Sequence, residues 1–288
     1  MTSFHTLTGN YPIGFRRGGW AWQKDISTAV DWAKSNGFGA LDLSRNSDEI
    51  APVLAAGLRV GSVDLLEWQG LITADAFKRA EAVERNNRYI AECGPQNYFA
   101  VMIPADKSLP RKENFEYMVA ALNKIAPELE AAGGKLVIEG WPGAGSLVCT
   151  PETFRATFAE CPSPSIGINY DPSHLLRMGI DPIRFLEEFV SRVGHVHGKD
   201  TEILAADLYE YGHELPAAFK PDPFCGSSAW RYTIPGHGGT PWKEVFRILN
   251  ANNYAGAVSI ELEDMNYNGT PEGEQLGLIS GAKFLASC

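Results

Sequence analysis

The chain has no run of about 18 apolar residues, so nothing in it reads as a membrane-spanning segment. Its five cysteines (Cys93, Cys149, Cys161, Cys225 and Cys288) are scattered, odd in number and never paired as C-x-x-C. That argues against a disulfide framework and a thiolate zinc site, and fits idle thiols in a reducing compartment. No G-x-G-x-x-G follows the first candidate strand, which removes the support a dinucleotide fold would need. Positive charge is scarce: 25 Lys and Arg against 35 Asp and Glu leave a net charge of −10, with no long basic run. Binding to a phosphate backbone rests on Lys and Arg, so nucleic acid is not an expected partner. The opening residues, Met1 to Thr6, show no basic stretch leading into an apolar core, so no signal peptide is expected and a cytoplasmic location is.

What is present is an ordinary globular composition, 44% hydrophobic and 21% charged, over 288 residues. At roughly 150 residues per domain the length suggests two domains, yet α/β barrels run to about 250 residues as one. Short β-rich runs alternate with helical stretches along the whole chain. Candidate strands lie at 13–15, 40–43, 58–63, 98–103, 135–139, 166–170, 193–197 and 257–261. Helical periodicity fills 25–35, 73–93, 111–132, 150–160, 181–191, 241–250 and 271–286. Thr150-Pro151 and Asp181-Pro182 place a capping residue before a proline at the first helical position, and Gly133-Gly134 closes the helix over 111–132. Repeated strand–helix units imply a parallel sheet, and eight close into a (β/α)8 TIM barrel of α/β class, a single domain over 1–288. A doubly wound open sheet is the alternative. Residues 201–241 break the rhythm after strand seven. They predict a long active-site loop over the C-terminal mouth, where barrel enzymes place their chemistry.

Strand ends five to eight are polar where a purely structural barrel needs nothing polar. Strand five ends in Glu139, strand six leads to Asp171, strand seven carries His195 and His197, and strand eight ends in Glu261. Alternation across a strand puts His195, His197 and Lys199 on one face. If that face points inward, two Glu, one Asp and one His reach a common space. Three converging carboxylates cannot all stay ionised without a countercharge. A divalent cation supplies one, and a mixed oxygen and imidazole set suits Mn²⁺ or Mg²⁺, with Co²⁺, Fe²⁺ or Zn²⁺ as replacements. Other residues admit two readings each. Lys199 either neutralises a developing oxyanion or pairs with Asp200 or a nearby carboxylate. Trp20 either stacks on a sugar face or packs. His195 reads as a hydrogen-bonded core histidine, and His213 and His237 as exposed loop residues. Arg16 and Arg17 near the mouth suit an anionic group, although adjacent arginines usually point to different places.

The segments Val-Ile-Glu139, Asp171-Pro-Ser-His174, His197-Gly-Lys199-Asp200, Ser-Ile-Glu261-Leu-Glu-Asp and Trp230-Arg231-Tyr232-Thr233-Ile234-Pro235-Gly236-His237-Gly238 resemble the xylose isomerase-like barrels, the sugar isomerases and epimerases. They are most similar to the branch acting on keto-sugars and 3-keto-glycosides, which includes C-glycoside-cleaving enzymes. The resemblance implies Glu139, Asp171, His197 and Glu261 as metal ligands, Glu139 and Glu261 as the catalytic acid/base pair, and His174 and Arg231 as holders of substrate oxygens. Two departures touch the substrate: Gly140-Trp141-Pro142 follows the strand-five Glu where relatives carry a His, and strand two offers Asp42 where relatives often have Glu. The implied reaction is proton transfer α to the carbonyl of a ketose or keto-sugar through a metal-stabilised enediolate, giving an isomer or epimer. Expulsion of a β leaving group would make the same site a lyase on a 3-keto-glycoside, and phosphodiester hydrolysis of the endonuclease type is the third reading. The expected partners are a small carbohydrate and further copies of the chain, or a small second subunit under the lyase reading.

Overall fold

The computed structural model describes residues 3–18, 20–213, 219 and 221–288. Met1 and Thr2 of the N-terminal reading, and residues 214–218 and 220 of the predicted loop, lie outside the described residues. In chain order the strands are β1 (Ile13–Arg16), β2 (Ala40–Leu43), β3 (Arg59–Asp64), β4 (Asn97–Ala100), β5 (Lys135–Glu139), β6 (Ile166–Tyr170), β7 (Val193–Gly198), β8 (Asp200–Ile203), β9 (Gly226–Ser227), β10 (Trp230–Thr233) and β11 (Val258–Ile260). The α-helices are α1 (Ile26–Ser35), α2 (Ile50–Ala55), α3 (Ala76–Cys93), α4 (Arg111–Ala132), α5 (Pro151–Glu160), α6 (Pro172–Arg177), α7 (Pro182–Phe189), α8 (Ala205–Tyr211), α9 (Trp242–Ala251) and α10 (Pro271–Leu285).

Eight parallel strands close in the order β1-β11-β7-β6-β5-β4-β3-β2, a (β/α)8 barrel. The helices that pack around it start and stop where side-chain chemistry directs. Asp25, Asp75, Thr150, Asp181 and Thr270 each accept a hydrogen bond from a backbone N–H in the first turn of the helix that follows. Pro151, Pro182 and Pro271 occupy first-turn positions where no donor is needed. Gly133, at φ 68°, ends α4 in the left-handed region that a side chain disfavours. The apolar face of each helix then meets the outward residues of the strands. Tyr98, Tyr170, Phe15, Phe154 and Trp242 are fully buried in that shell, and each contributes about 1.5–3 kcal/mol by leaving water.

The predicted loop after strand seven carries regular structure among its described residues. β8, β9 and β10 form a three-stranded antiparallel sheet in the order β8-β10-β9, and α8 follows β8. Its anchor is Asp200, which accepts from the backbone of Thr201, Gly236 and Thr240, the Thr240 hydroxyl and Trp242 Nε1. The low periodicity of 201–241 reflects the shortness of these elements, with strands of two to four residues and a helix of seven. All five cysteines are free, and among the described residues no helix is long and apolar enough to cross a membrane.

Candidate active site

The barrel register brings the polar strand ends to neighbouring levels. Glu139 lies opposite Asn169, Asn169 opposite His195, and His197 opposite Ser259. Below the mouth sits a buried polar layer. Asp42 accepts from His195 Nε2 at 2.8 Å and from the Ser259 hydroxyl at 2.7 Å, and His197 Nε2 stands 3.4 Å from the same carboxylate. This layer fits because residue 61 is glycine: a Cβ there would stand 2.2 Å from Asp42 Oδ1. Burial disfavours the Asp42 carboxylate, yet His195 and His197 hold it well below the usual carboxylate range.

Above that layer His197 presents its other nitrogen to the acids. Nδ1 is 2.7 Å from Glu139 Oε1, 3.5 Å from Glu261 Oε2 and 3.9 Å from Asp171 Oδ2. The ring stacks on Phe99, 5.5 Å between centroids, which fixes its plane from the side. A carboxylate on one nitrogen and an open site on the other is how metal-ligating imidazoles are oriented. Glu139 is held further by Asn169 Nδ2 at 2.9 Å. Asp171 caps α6 through Oδ1, which accepts from Ser173 N and its hydroxyl, while buried Oδ2 has no hydrogen-bond partner.

Lys199 enters from β7's end with its ammonium 3.2 Å from Asp171 Oδ2 and 3.1 Å from Glu263, and in direct contact with Glu261. Asp200 points the opposite way, as alternation requires, so the two do not pair. Arg16 reaches in from β1, bonded to Asp64 at 2.9 Å, 3.3 Å from Glu261 and stacked over Phe99. Arg17 turns away to Glu49 and the carbonyls of Gln23 and Lys24. Burial and the Glu261 charge push Glu139 upward, but the charge and hydrogen bond of His197, and the nearby His174 ring, hold it below the usual carboxylate range. Glu261 is also held low: burial opposes ionisation, and Lys199, His197 and Arg16 outweigh it. Burial disfavours the Lys199 charge too, but Asp171, Glu261 and Glu263 keep it firmly protonated.

Glu139, Asp171, His174 and Glu261 each offer an atom within 4.8 Å of the others, and His197 Nδ1 faces the same acids. The mixed oxygen and nitrogen donors, with Asp171 Oδ2 buried, faced by the Lys199 ammonium and free of any hydrogen bond, fit a divalent cation of the Mn²⁺ or Mg²⁺ type. Of the residues singled out in the sequence, Glu139, Asp171, His174, His197, Lys199 and Glu261 come together. Trp20 lies at the rim, lining a cavity of about 340 Å³ with Arg16, Gln23, Phe224, Cys225 and Glu261. Arg231 is not brought to the cluster; its guanidinium is engaged by Glu202 at 2.7 Å and Asp264 at 3.2 Å. Residues not singled out as site members also belong here: Asp64, Phe99, Asn169, Glu263, Tyr232 and Arg177; Arg16, read as suited to an anionic group, meets the carboxylates of Asp64 and Glu261. The i, i+2 spacing from Glu261 signals Glu263, whereas Asp64 and Phe99 are marked only by lying on barrel strands.

The model of the xylose isomerase-like TIM barrel family matches residues 30–288. The chain belongs to that family. Among curated proteins it is 40% identical over 146 residues to the uncharacterized protein YfiH of Bacillus subtilis (strain 168), covering 49% of this chain and 44% of that one. It is 28% identical over 152 residues to the inosose dehydratase of Clostridium beijerinckii, covering 53% and 48%. The chain thus spans about half the length of the curated relatives it matches. The fold is shared with the 3-keto-D-glucoside 4-epimerase YcjR of E. coli in its apo form, at TM-score 0.70 and 16% identity over 96% of this chain and 100% of that one. D-psicose 3-epimerase from Clostridium cellulolyticum H10, with D-tagatose, superposes at TM-score 0.69 and 15% identity over 96% and 100%. The proteins it resembles thus include two epimerases that share its fold and an inosose dehydratase similar over about half of its length.

Proposed function

We propose that the chain is a divalent-metal-dependent sugar isomerase or epimerase that moves a proton α to the carbonyl of a ketose or keto-sugar. The observation that carries this reading is the convergence of Glu139 and Glu261 on the space that Asp171 and His197 also face. Glu139, Asp171, His197 and Glu261 would hold the cation, which when bound supplies electrophilic stabilisation of the negative charge that develops as the C–H proton leaves.

Glu261 is the more accessible acid, with its side chain 17% exposed and lining the open cavity, so it meets a substrate carbon first. Lys199 and Arg16 keep it ionised and ready to accept a proton, at the cost of basicity. The deficit is met at the other end of the transfer, because lowering the acidity barrier of the C–H needs charge stabilisation more than a strong base. Glu139 lies deeper, oriented by Asn169 and His197. To deliver a proton from a different direction it must enter the cycle as the carboxylic acid. The turnover leaves Glu261 protonated and Glu139 ionised, both restored by exchange with solvent before the next cycle. Return to the same carbon inverts it; return to the neighbouring carbon moves the carbonyl. Lys199, buried between Asp171 and Glu261, places a fixed positive charge beside the substrate oxygens. Trp20 and Phe224 offer apolar faces to the remainder of the sugar.

The second reading is a lyase at the same residues, favoured by the sequence similarity to inosose dehydratase. One experiment separates the two. Mn²⁺-loaded protein is incubated in D₂O with ketoses, inososes and 3-keto-glycosides and followed by NMR. Deuterium next to the carbonyl with an intact skeleton, lost on chelation, supports the isomerase or epimerase. Loss of water or of an aglycone supports the lyase. No exchange with any substrate, despite stoichiometric metal, overturns both.

A further inference from the structure

By distance alone His174 belongs to the metal-ligating cluster: its Nε2 lies 3.4 Å from Asp171 Oδ2 and 3.5 Å from Glu139 Oε2. What stands behind the ring points to a different role. Nδ1 is 2.6 Å from the hydroxyl of Tyr232, on β10, and the same oxygen receives Arg177 Nη1 at 2.6 Å. Arg177 sits one helical turn after His174 on α6. Its guanidinium is fixed by stacking on the Trp230 ring at 4.4 Å and by donating to the Pro142 carbonyl at 3.2 Å.

We propose that Tyr232 and Arg177 are positioning residues that fix the ring proton of His174 on Nε2, so that the histidine the resemblance sets to hold a substrate oxygen does so as a donor, with no lone pair there for the metal. A guanidinium has only donors, so Arg177 takes a lone pair of the Tyr232 oxygen and cannot accept its proton. Tyr232 is buried, and Nδ1 is the acceptor within hydrogen-bond reach of its hydroxyl. The phenol therefore donates to Nδ1, and the imidazole proton resides on Nε2. The reverse arrangement would leave the Tyr232 proton buried without an acceptor and facing the Arg177 donor, which is unfavourable. A nitrogen that carries a proton has no lone pair for a cation. Nε2 is fully buried and has no hydrogen-bond partner, so it is free to donate to a bound oxygen beside Glu139 and Asp171. His197 is arranged differently: carboxylates stand on both sides of its ring, Asp42 3.4 Å from Nε2 and Glu139 2.7 Å from Nδ1, and among the described residues no donor stands behind the ring to fix its proton. Two histidines at one site are thus assigned different tasks by what stands behind each ring, a phenol for one and a carboxylate for the other. Tyr232 and Arg177 act through His174 and are positioning residues. They also give the β8-β10-β9 sheet a part in the site, through β10.

The donation to a substrate oxygen rests on the proton-transfer reading above, whereas the position of the ring proton does not. The test is made on ¹⁵N-histidine-labelled full-length protein, with long-range ¹H–¹⁵N NMR reporting the tautomer and with His174→Gln identifying its signals. In the metal-free protein the Nε2–H form of His174 should dominate by about tenfold or more. Titration with Zn²⁺ should shift His197 and leave the proton on His174 Nε2. In Tyr232→Phe the His174 tautomers should redistribute, with Zn²⁺ affinity changed less than about twofold. An Nδ1–H tautomer in the wild-type protein, or loss of the Nε2 proton on adding Zn²⁺, would overturn the assignment. So would a drop of about tenfold or more in Zn²⁺ affinity in His174→Gln. These signals are independent of turnover, so a failed D₂O exchange leaves them readable.

Discussion

Lys199→Met removes one positive charge at nearly constant volume, and the structure sets what that should cost. The ammonium is fully buried, 3.2 Å from Asp171 Oδ2, itself inaccessible, and in contact with Glu261. At an effective dielectric of about 20, one pair at that distance is worth about 5 kcal/mol. Glu263 is 38% exposed, so solvent screens it and it adds little. Removing one partner of a buried pair generally costs about 3–5 kcal/mol, because the other is left desolvated and uncompensated. With an unfolding entropy of about 2.1 cal/mol/K per residue, a chain of 288 residues loses about 5–8 °C of Tm from such a change. The assay is calorimetry of wild type and variant, each with chelator and with Mn²⁺. The chelated variant should show the full drop. Mn²⁺ should stabilise the variant more than the wild type, since the same carboxylates then meet one cation instead of two, and its Mn²⁺ affinity should rise by about tenfold or more. Pairing Lys199→Met with Asp171→Asn should recover at least about 2 kcal/mol of coupling. A chelated variant within about 2 °C of wild type, with unchanged Mn²⁺ affinity, would refute the reasoning, because the charge would then be decoupled from the acids.

Three further outcomes are expected. Glu261→Gln and Glu139→Gln should each lower deuterium exchange by about 10²–10⁴-fold with the far-UV circular dichroism unchanged; exchange at the wild-type rate in either would remove that residue from proton transfer. Asp42→Asn should weaken Mn²⁺ binding by about 10–100-fold in calorimetric titration, since His197 Nε2 loses its charged partner; unchanged affinity would mean the polar layer only supports the fold. Burial and the charges of Glu263 and Glu261 push the Cys225 thiol up to about 12. A thiol alkylates as its thiolate, so labelling of Cys225 at pH 8 should be on the order of 10³-fold slower than for a free cysteine and should rise about tenfold per pH unit. Peptide mass spectrometry after timed iodoacetamide treatment reads this, and rapid labelling at pH 8 would contradict it.

The barrel was legible because its strands are short and β-rich and several of its helices announce their starts. Thr150-Pro151 and Asp181-Pro182 mark helix starts found within a residue of expectation. The strand-end acids and His197 were legible for a related reason: period-two alternation fixes which residues face inward once one does. The same rule settles Lys199, which faces the acids while Asp200 turns back to anchor the following segment. Two kinds of feature were hidden. Short elements such as α2 and α6 bury too few residues to show a period, and β8 to β10 are too short to alternate visibly. Arg231 was singled out by its motif, yet its neighbours Glu202 and Asp264 come from a partner strand and a turn that only folding brings close. Tyr232 stood in the same motif and was passed over, because a phenol beside a histidine acts through direction, and direction is absent from composition and spacing.

The vertical order of the barrel interior follows from one electrostatic requirement. A cluster of acids at the mouth needs nitrogen donors whose protons are placed, and a buried imidazole takes its tautomer from whatever stands behind it. Gly61 clears the space for Asp42, Asp42 accepts from His195 and Ser259 and faces His197, and His197 turns Nδ1 toward Glu139. The interior therefore departs from the branched aliphatic filling usual in barrels at the very level that supports the site. An aliphatic residue at position 42 would pack more cheaply but would leave His195 Nε2 and the Ser259 hydroxyl without their acceptor and would remove the carboxylate 3.4 Å behind His197. The polar layer is the part of the core that stability alone does not explain, and it lies directly beneath the residues proposed to transfer the proton.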